Sequence, residues 1–461
     1  MKISSLCQLV PPLAVLVLNA ALPAMLTAAD QGDEIKLLRE QLRAIEQKLL
    51  VLERKQEIKD EAAAAPVAPK ITISDKGFAL ASADGANSIK LRGLVQLDSR
   101  LFFGDNGIVN NAFVLRRARL ITEGTFAKKY SFQFVTEFGG SAVSIIDANL
   151  GVTIDKALQL KFGKFKPPVG LELLQSDSWT FFNERSIVTN LVPNRDLGVQ
   201  AGGELFNGRV SYAAGIFGGV ADGASTTNTD FDNEKDVVVR LFASPFQHDA
   251  GSPVQGLSFG ISASLGREKT AAGRTAGYKT DGQQTFFSYN TATIADGQSW
   301  RISPQFDYRH GSFGAIGEYV LSTVNVRPSA AGAKAGLQNK AWQFAAAYVL
   351  TGEDSSFAGV VPRGNFDFTN GTWGAFEVTG RYANLRIDDA AFPLYASVST
   401  SADEATSYGL GLNWYLSKTV VFKFDYYQTK FGFAPSAPAD PAAPALRQDE
   451  KALITRLQLS F

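Results

Sequence analysis

From about residue 87 to the C-terminus, this 461-residue chain repeats with a period of two, and the face opposite the apolar one carries charges of both signs. Ile89, Leu91, Gly93, Val95 and Leu97 alternate with Lys90, Arg92, Leu94, Gln96 and Asp98, and Arg100 continues the second set. Trp300, Ile302, Pro304 and Phe306 alternate with Arg301, Ser303, Gln305 and Asp307. Phe422, Phe424 and Tyr426 alternate with Lys423, Asp425 and Tyr427. Such a pattern makes strands with two chemically different faces. A soluble sandwich would bury the apolar face against a second sheet and would have edges to protect. A charged inner face, with Trp, Tyr or Phe at the ends of the apolar one, fits a wet lumen and a lipid-facing surface. About 16 or 17 segments of this kind follow one another, and bacterial barrels close with even strand numbers. The expected fold is all-β, a 16-stranded antiparallel transmembrane β-barrel, a size that leaves a water channel.

The N-terminal part is of different material. Lys2 is the only charge in residues 1–29, an apolar run follows from Leu9 to Leu26, and Thr27-Ala28-Ala29 precedes Asp30. This reads as an export signal peptide cleaved near Ala29. Beyond it no run of 18 apolar residues occurs, so no spanning helix is expected, and only a barrel could then cross a membrane. In residues 33–59, Ile35, Leu38, Leu42, Ile45, Leu49 and Leu52 fall at alternating spacings of three and four. That is a heptad stripe on a helix and calls for partner helices, although its mixed Ile and Leu usage does not set their number. The expected organisation is a signal peptide at 1–29, a periplasmic coiled-coil segment at 30–61, a linker leading into the barrel at 62–86, and the barrel at 87–461.

Composition narrows the function. The 45 basic and 45 acidic residues argue against a polyanion-coating or nucleic-acid-binding protein. With two histidines, and a single cysteine (Cys7) inside the leader, no multi-histidine metal site, disulfide or thiolate nucleophile is expected. No catalytic constellation is found, and no cofactor is implied. Long connections at 219–235, 266–284, 352–372, 386–404 and 432–449 would crowd one end of the barrel, with tight turns such as Ser417–Val420 at the other. Residues 166–196 lack clean alternation and would form a loop folded into the pore or placed at a subunit contact. A terminal Phe461 after Leu457 and Leu459 is what the barrel assembly machinery reads on a last strand. Outer-membrane lipid is the other expected partner.

Arginine suits an anion path because its fork gives two parallel hydrogen bonds to an oxyanion and does not titrate. The densest cluster is Arg116, Arg117 and Arg119. Parity turns Arg117 and Arg119 to the lumen, in register with Leu115, Ile121 and Glu123, and puts Arg116 at a rim or bulge. These arginines either line the passage or pair with lumen carboxylates such as Glu123 and stiffen the wall. Lys90 and Arg92 share the lumen face of the first strand. Lys161, Lys164 and Lys166 lead into Pro167-Pro168, which ends the ladder because neither proline donates an N–H. Arg301 is a lumen candidate by parity, as are Arg240, Arg309, Arg381 and Lys423, each near a carboxylate (Asp236, Asp307, Glu377, Asp425). Glu184, Arg185, Arg195 and Asp196 read as a salt-bridged support for the folded loop. Trp300, Trp342, Trp373 and Trp414 read as interface anchors.

Several blocks in order carry a resemblance: Arg116-Arg-Ala-Arg119, Gly163-Lys-Phe-Lys-Pro-Pro-Val-Gly-Leu-Glu172, Asn183-Glu-Arg-Ser186, Asn194-Arg-Asp-Leu-Gly-Val-Gln200, Leu350-Thr-Gly-Glu353, Gly374-Ala-Phe-Glu377 and Leu412-Asn-Trp-Tyr415. With them the chain resembles the phosphate-selective porin family of Gram-negative outer membranes, of the O and P type, over roughly residues 71–461. The resemblance implies a homotrimer of 16-stranded barrels, each with a cationic constriction that draws in small anions. It also implies that Arg116 and Arg117 line the passage and that Asp147 sits near the constriction. Two other readings stand beside it: a general, weakly selective diffusion pore, and a structural envelope barrel tethered by its coiled coil.

Overall fold

The structure is a computed structural model, and it describes residues 30–64, 68–104, 110–269, 277–434 and 449–461. The expected signal peptide and most of the Pro-rich connection at 432–449 lie outside the described residues. The chain divides into two compact units, residues 1–67 and 68–461.

In the first unit, helix α1 runs from Asp30 to Ala64, somewhat longer than the heptad stripe that predicts it. Glu, Lys, Arg, Gln, Leu and Ala dominate it, all good helix formers, and it stops short of Pro66, before which helical backbone is disfavoured. Two exposed ion pairs, Lys36–Asp33 at 3.3 Å and Arg54–Glu57 at 2.9 Å, lie three residues apart along it. Each is worth only a few tenths of a kcal/mol, about 0.3–0.5. All six stripe residues, Ile35 to Leu52, are more than half exposed.

The second unit begins with a hairpin, β1 (Lys70–Ser74) and β2 (Gly77–Ala81), inside the stretch expected to be linker. The wall starts with β3 (Ser88–Phe102), β4 (Ala112–Phe126), β5 (Tyr130–Glu137), β6 (Ser144–Thr153) and β7 (Gln159–Phe165). It continues through β8 (Asp196–Leu205), β9 (Val210–Phe217), β10 (Asp236–Ala243) and β11 (Leu257–Lys269). A small separate hairpin, β12 (Gly277–Lys279) and β13 (Thr285–Ser288), interrupts it. The wall then resumes with β14 (Ile294–His310), β15 (Phe313–Arg327), β16 (Ala335–Val349) and β17 (Ala375–Arg386). It ends with β18 (Glu404–Tyr415), β19 (Val420–Gly432) and β20 (Glu450–Ser460). Each wall strand pairs antiparallel with the next, and β20 pairs with β3, so 16 strands close the barrel expected from the period.

The seam gives the C-terminal residue a structural role. β20 covers β3 only as far as Leu94, and β2 takes over the same edge at Leu91. Between them Phe461 exchanges two backbone hydrogen bonds with Gly93, at 2.9 and 3.1 Å. Its ring meets that of Phe78 edge-on at 5.9 Å. A Cβ at Gly93 would lie 2.6 Å from the Phe461 ring, so any larger residue there would push the ring aside.

Strand parity assigns each connection to an end. Both termini of the wall share one end with the tight turns, among them Ala127-Lys128 and Phe206-Asn207, whose paired positive φ angles suit two-residue hairpins. The inward loop and the connections around 219–235, 266–284, 386–404 and 432–449 share the other. One expectation is corrected here: the connection 350–374, between β16 and β17, is long yet belongs to the tight-turn end. Length alone does not say which end a connection occupies; counting strands does.

Outside, Leu150, Val237 and Leu410 are more than half exposed, as a lipid-facing surface requires. Trp373, Trp414, Phe366 and Phe376 form an aromatic patch at the tight-turn end, with Trp414 Nε1 donating to the Trp373 carbonyl at 2.7 Å. Among the described residues no helix is long and apolar enough to cross a membrane.

Candidate functional site

β7 ends at Phe165, one residue before Pro167-Pro168, and the chain then turns into the barrel instead of away from it. Its 30-residue course contains one helical turn, α2 (Leu171–Leu174), and a 3-10 turn at Ile187–Leu191. Val169, Leu173, Ile187, Val188, Leu191 and Val192 are all at 4 % exposure or less. They pack on Val320, Leu337, Ala341, Ala383 and Ala405 from the inner face of β15–β18. Polar anchors fix the same side. Leu171 N–H donates to Glu318 at 2.8 Å, and Glu172 accepts from Ser186 N–H and from Gln343 Nε2, both at 2.9 Å. Asn413 Nδ2 donates to the Phe181 carbonyl and Asn183 Nδ2 to the Ile454 carbonyl, both at 2.9 Å. The connection 350–374 meets the loop from the tight-turn end: Gln175 Nε2 donates to the Phe357 carbonyl at 2.9 Å, and Gly359, at φ +90°, packs on the Trp179 indole.

The loop thus fills the β15–β20 side of the lumen and leaves the β3–β10 side open. Two cavities of about 1000 and 790 Å³ lie there. Lys90, Gln133, Lys161, Phe165, Lys166 and Leu174 line both. The first also reaches Asp75, Lys418 and Phe461 at the tight-turn end.

The arginine cluster sits where loop and wall meet. Opposite β4, Gln96 pairs with Arg117 and Leu97 with Leu115, so Arg116 is the extra residue of a bulge. The bulge flips the parity upstream. Leu115 therefore lies outside and is 46 % exposed, contrary to the simple register, while Arg116 and Arg117 both reach the loop's carboxylates. Glu184 accepts from Arg116 at 2.6 and 2.9 Å, from Arg456 at 3.0 Å and from Arg100 at 3.3 Å. Asp177 pairs with Arg117 at 3.1 Å and also with Arg119 and Arg185. Arg119 reaches Glu137 at 2.6 Å, and Asp98 takes Arg456 at 2.6 Å and Arg100 at 3.1 Å. Burial alone would raise the carboxyl of Glu184, but Arg116, Arg456 and Arg117 outweigh it and hold it well below the usual range. Asp177 behaves alike, its burial overcome by Arg117, Arg185 and Arg119.

The expected pairing of these arginines with Glu123 is corrected: Glu123 instead serves Lys90 at 3.4 Å and Arg92 at 2.9 Å. Parity could not show this, because two of the arginines' partners, Asp177 and Glu184, come from the loop and the third, Glu137, from the neighbouring strand. Arg195 pairs with Asp147 at 3.2 Å. Asp196 was expected in a salt-bridged support. It makes no ion pair among the described residues and accepts from the N–H groups of Leu197 and Gly219, both at 2.8 Å. Arg301 does not line either cavity. It is held by Asp222 at 2.7 Å and by Asp236 and Glu268 at 3.5 Å, with 1 % of its side chain exposed. Lys166 Nζ donates to the carbonyls of Leu173 at 2.6 Å and Gln175 at 3.3 Å. Burial and the nearby Arg185 push its ammonium well below its ordinary value, so it acts as a tie inside the loop. Lys161 stands differently. No carboxylate lies within 4 Å of it among the described residues, and its contact is the Phe165 ring at 4.5 Å. Arg240, on the wall of the second cavity, donates to the neutral Gln305 Oε1 at 3.0 Å and lies over the Phe242 ring at 4.4 Å.

Residue reading missed Asp177, Glu137 and Arg456. Arg456 carried a signal: a charge at an inward position of the last strand, with Gln458 and Ser460 following at the same parity.

A family model described as phosphate-selective porin O and P matches residues 89–461. Porin O of Pseudomonas aeruginosa is 26% identical over 422 residues, spanning 85% of this chain and 92% of the relative. Among solved structures, the outer membrane channel DcaP of Acinetobacter baumannii aligns at a TM-score of 0.53, with 12% identity, 84% of this chain and 99% of that one. OmpF of Salmonella typhi aligns at 0.51, with 10% identity, 85% of this chain and all of the other. At such identities the two structures speak for the fold alone.

Proposed function

The chain belongs to the phosphate-selective porin O and P family, as an outer-membrane porin of a Gram-negative bacterium, and from that premise we propose that it lets small anions, phosphate among them, diffuse between its inward loop and the β3–β10 wall. The observation that carries this is the contrast among lumen cations. The cluster arginines are each paired with Asp98, Glu137, Asp177 or Glu184, whereas Lys161 and Arg240 face the cavities without a carboxylate partner. Even the cluster, with Arg100, Arg116, Arg117, Arg119, Arg185 and Arg456 against four carboxylates, keeps an excess of two positive charges. Lys90 and Arg92 against Glu123 add one more. Arg195 and Asp147 cancel.

Transport breaks no bond, and no catalytic role is proposed. The protein's work is to focus a positive potential into a narrow passage and to replace part of an ion's hydration. A series of weak cationic contacts passes an anion, whereas one tight site would hold it. The purified porin in a planar bilayer under a potassium chloride gradient should give a zero-current potential of the sign set by chloride. A potential set by potassium would refute the reading. Glu353 and Asp354 also line the first cavity, and a near-zero potential would favour the general, weakly selective pore.

We further assign self-association as a homotrimer, with the exposed stripe of α1 buried against the same stripe of neighbouring copies. The tight-turn end, where the wall begins and ends, is the periplasmic one by the usual asymmetry of such barrels. That puts residues 30–61 in the periplasm. Phe461, clasped by Gly93 and Phe78 at the seam, is the feature the assembly machinery and the closing strand both use.

A further inference from the structure

We infer that the passage takes, besides inorganic phosphate, phosphate monoesters that carry hydroxyl groups, and that the inner wall of β3–β8 recognises their hydroxyl end. This rests on the anion path proposed above and deepens it.

The second cavity, of about 790 Å³, has a wall of neutral side chains that both donate and accept hydrogen bonds. These side chains are neighbours in register. Ser88, Thr125 and Ser131 follow one another across β3, β4 and β5. Gln133 on β5 pairs in register with Asn149 on β6, and Gln200 on β8 with Lys161 on β7. Gly151 stands between Ser131 and Lys161 in one row, and the Ser131 hydroxyl leans into the space that a Cβ there would take. Unlike the arginine cluster, this wall is not saturated. Ser88 and Thr125 share one bond at 2.8 Å, but Ser131, Gln159 and Gln200 make no side-chain hydrogen bond among the described residues.

Cations stand beside these groups. On this cavity Glu123 serves Lys90, and Lys166 is tied to loop carbonyls. Glu204 makes no ion pair among the described residues and sits at the tight-turn end of β8. Lys161 and Arg240 remain for an anion. In the first cavity the charged groups of Lys76 and Arg363 also lie beyond 4 Å of any carboxylate among the described residues. A phosphate group presents acceptor oxygens almost alone, so it uses the cations and the donor half of each amide or hydroxyl. The acceptor half is matched only by a ligand's own O–H. Water fills that role in the empty pore, and an alcohol group can replace the water bond for bond. A wall that offers both halves beside free cations therefore suits a molecule with a phosphate at one end and alcohol groups at the other.

The test uses the full-length porin in planar bilayers, with glycerol phosphate and propyl phosphate as competitors of potassium chloride. The two esters have the same charge and nearly the same size, and differ in two hydroxyl groups. One net hydrogen bond should let glycerol phosphate halve the chloride current at about a fivefold lower concentration than propyl phosphate. Gln200→Leu should bring the two values together, and the wild-type comparison decides alone if that variant does not assemble. Under a gradient of potassium glycerol phosphate, the zero-current potential should have the sign set by the ester. Equal values for the two esters in the wild type, or a potassium-set potential in the ester salt, would overturn the inference while a chloride-set potential in potassium chloride leaves the anion path intact. A potassium-set potential in both salts would overturn both.

Discussion

Lys161→Gln isolates the electrostatic claim, because the structure leaves this lysine nothing to support. No carboxylate lies within 4 Å of it among the described residues, and the nearby Asp147 is already paired with Arg195 at 3.2 Å. The substitution therefore removes one charge without orphaning a partner, and the barrel should assemble as before. A unit charge acts on an ion 4 Å away by about 1 kcal/mol in water, and screening over a Debye length of about 8 Å weakens this for an ion that passes further off. A change of about 0.5–1 kcal/mol is expected for each ion, with opposite signs for chloride and potassium. The chloride-to-potassium permeability ratio should then fall by about 5- to 30-fold, at RT of about 0.6 kcal/mol. Reversal potentials under a salt gradient read this ratio directly. The paired control is Arg195→Gln with Asp147→Asn, which removes one charge of each sign from partners 3.2 Å apart and should leave the ratio within about twofold. A shift of less than twofold in Lys161→Gln, or a larger shift in the control, would refute the assignment of the path to the unpaired cations.

Glu184→Gln takes the shared acceptor from Arg116, Arg456 and Arg100. Losing one partner of so buried a network costs about 3–5 kcal/mol, which should loosen the loop and show as noisy, enlarged single-channel conductance; quiet wild-type steps would speak against the anchor. Acid should act late for the same reason. Asp177 and Glu184 have folded values lowered from 3.8 and 4.5, so their contribution is complete above those values and is lost only as pH falls through the lower folded ones. Channel steps should stay quiet from neutrality to pH 4.5 and turn noisy only in stronger acid, and early noise near pH 6 would contradict this. Leu42→Asp puts a charge in the middle of the exposed stripe of α1 and should reduce the trimer fraction in sedimentation without changing monomer conductance; an unchanged trimer would remove the helix from the assembly.

The barrel could be read from the sequence because a strand's period is short and repeats, so Lys90, Arg92, Arg117 and Arg301 each announce their face within a few residues. A single inserted residue defeats that reading locally. At Arg116 the bulge turns two consecutive arginines to the same side and sends Leu115 out. Which lumen charges are free could not be read at all, since partners come from far along the chain: Glu184 lies 68 residues from Arg116 and 272 from Arg456. Yet the inward face held a second, weaker signal. Ala341, Ala345 and Ala347 on β16 and Ala383 on β17 are small and apolar where a wet lumen would carry polar side chains, and all are at 3 % exposure or less because the loop or its neighbours cover them. Inward alanines of this kind, covered by the loop, mark where protein fills the barrel.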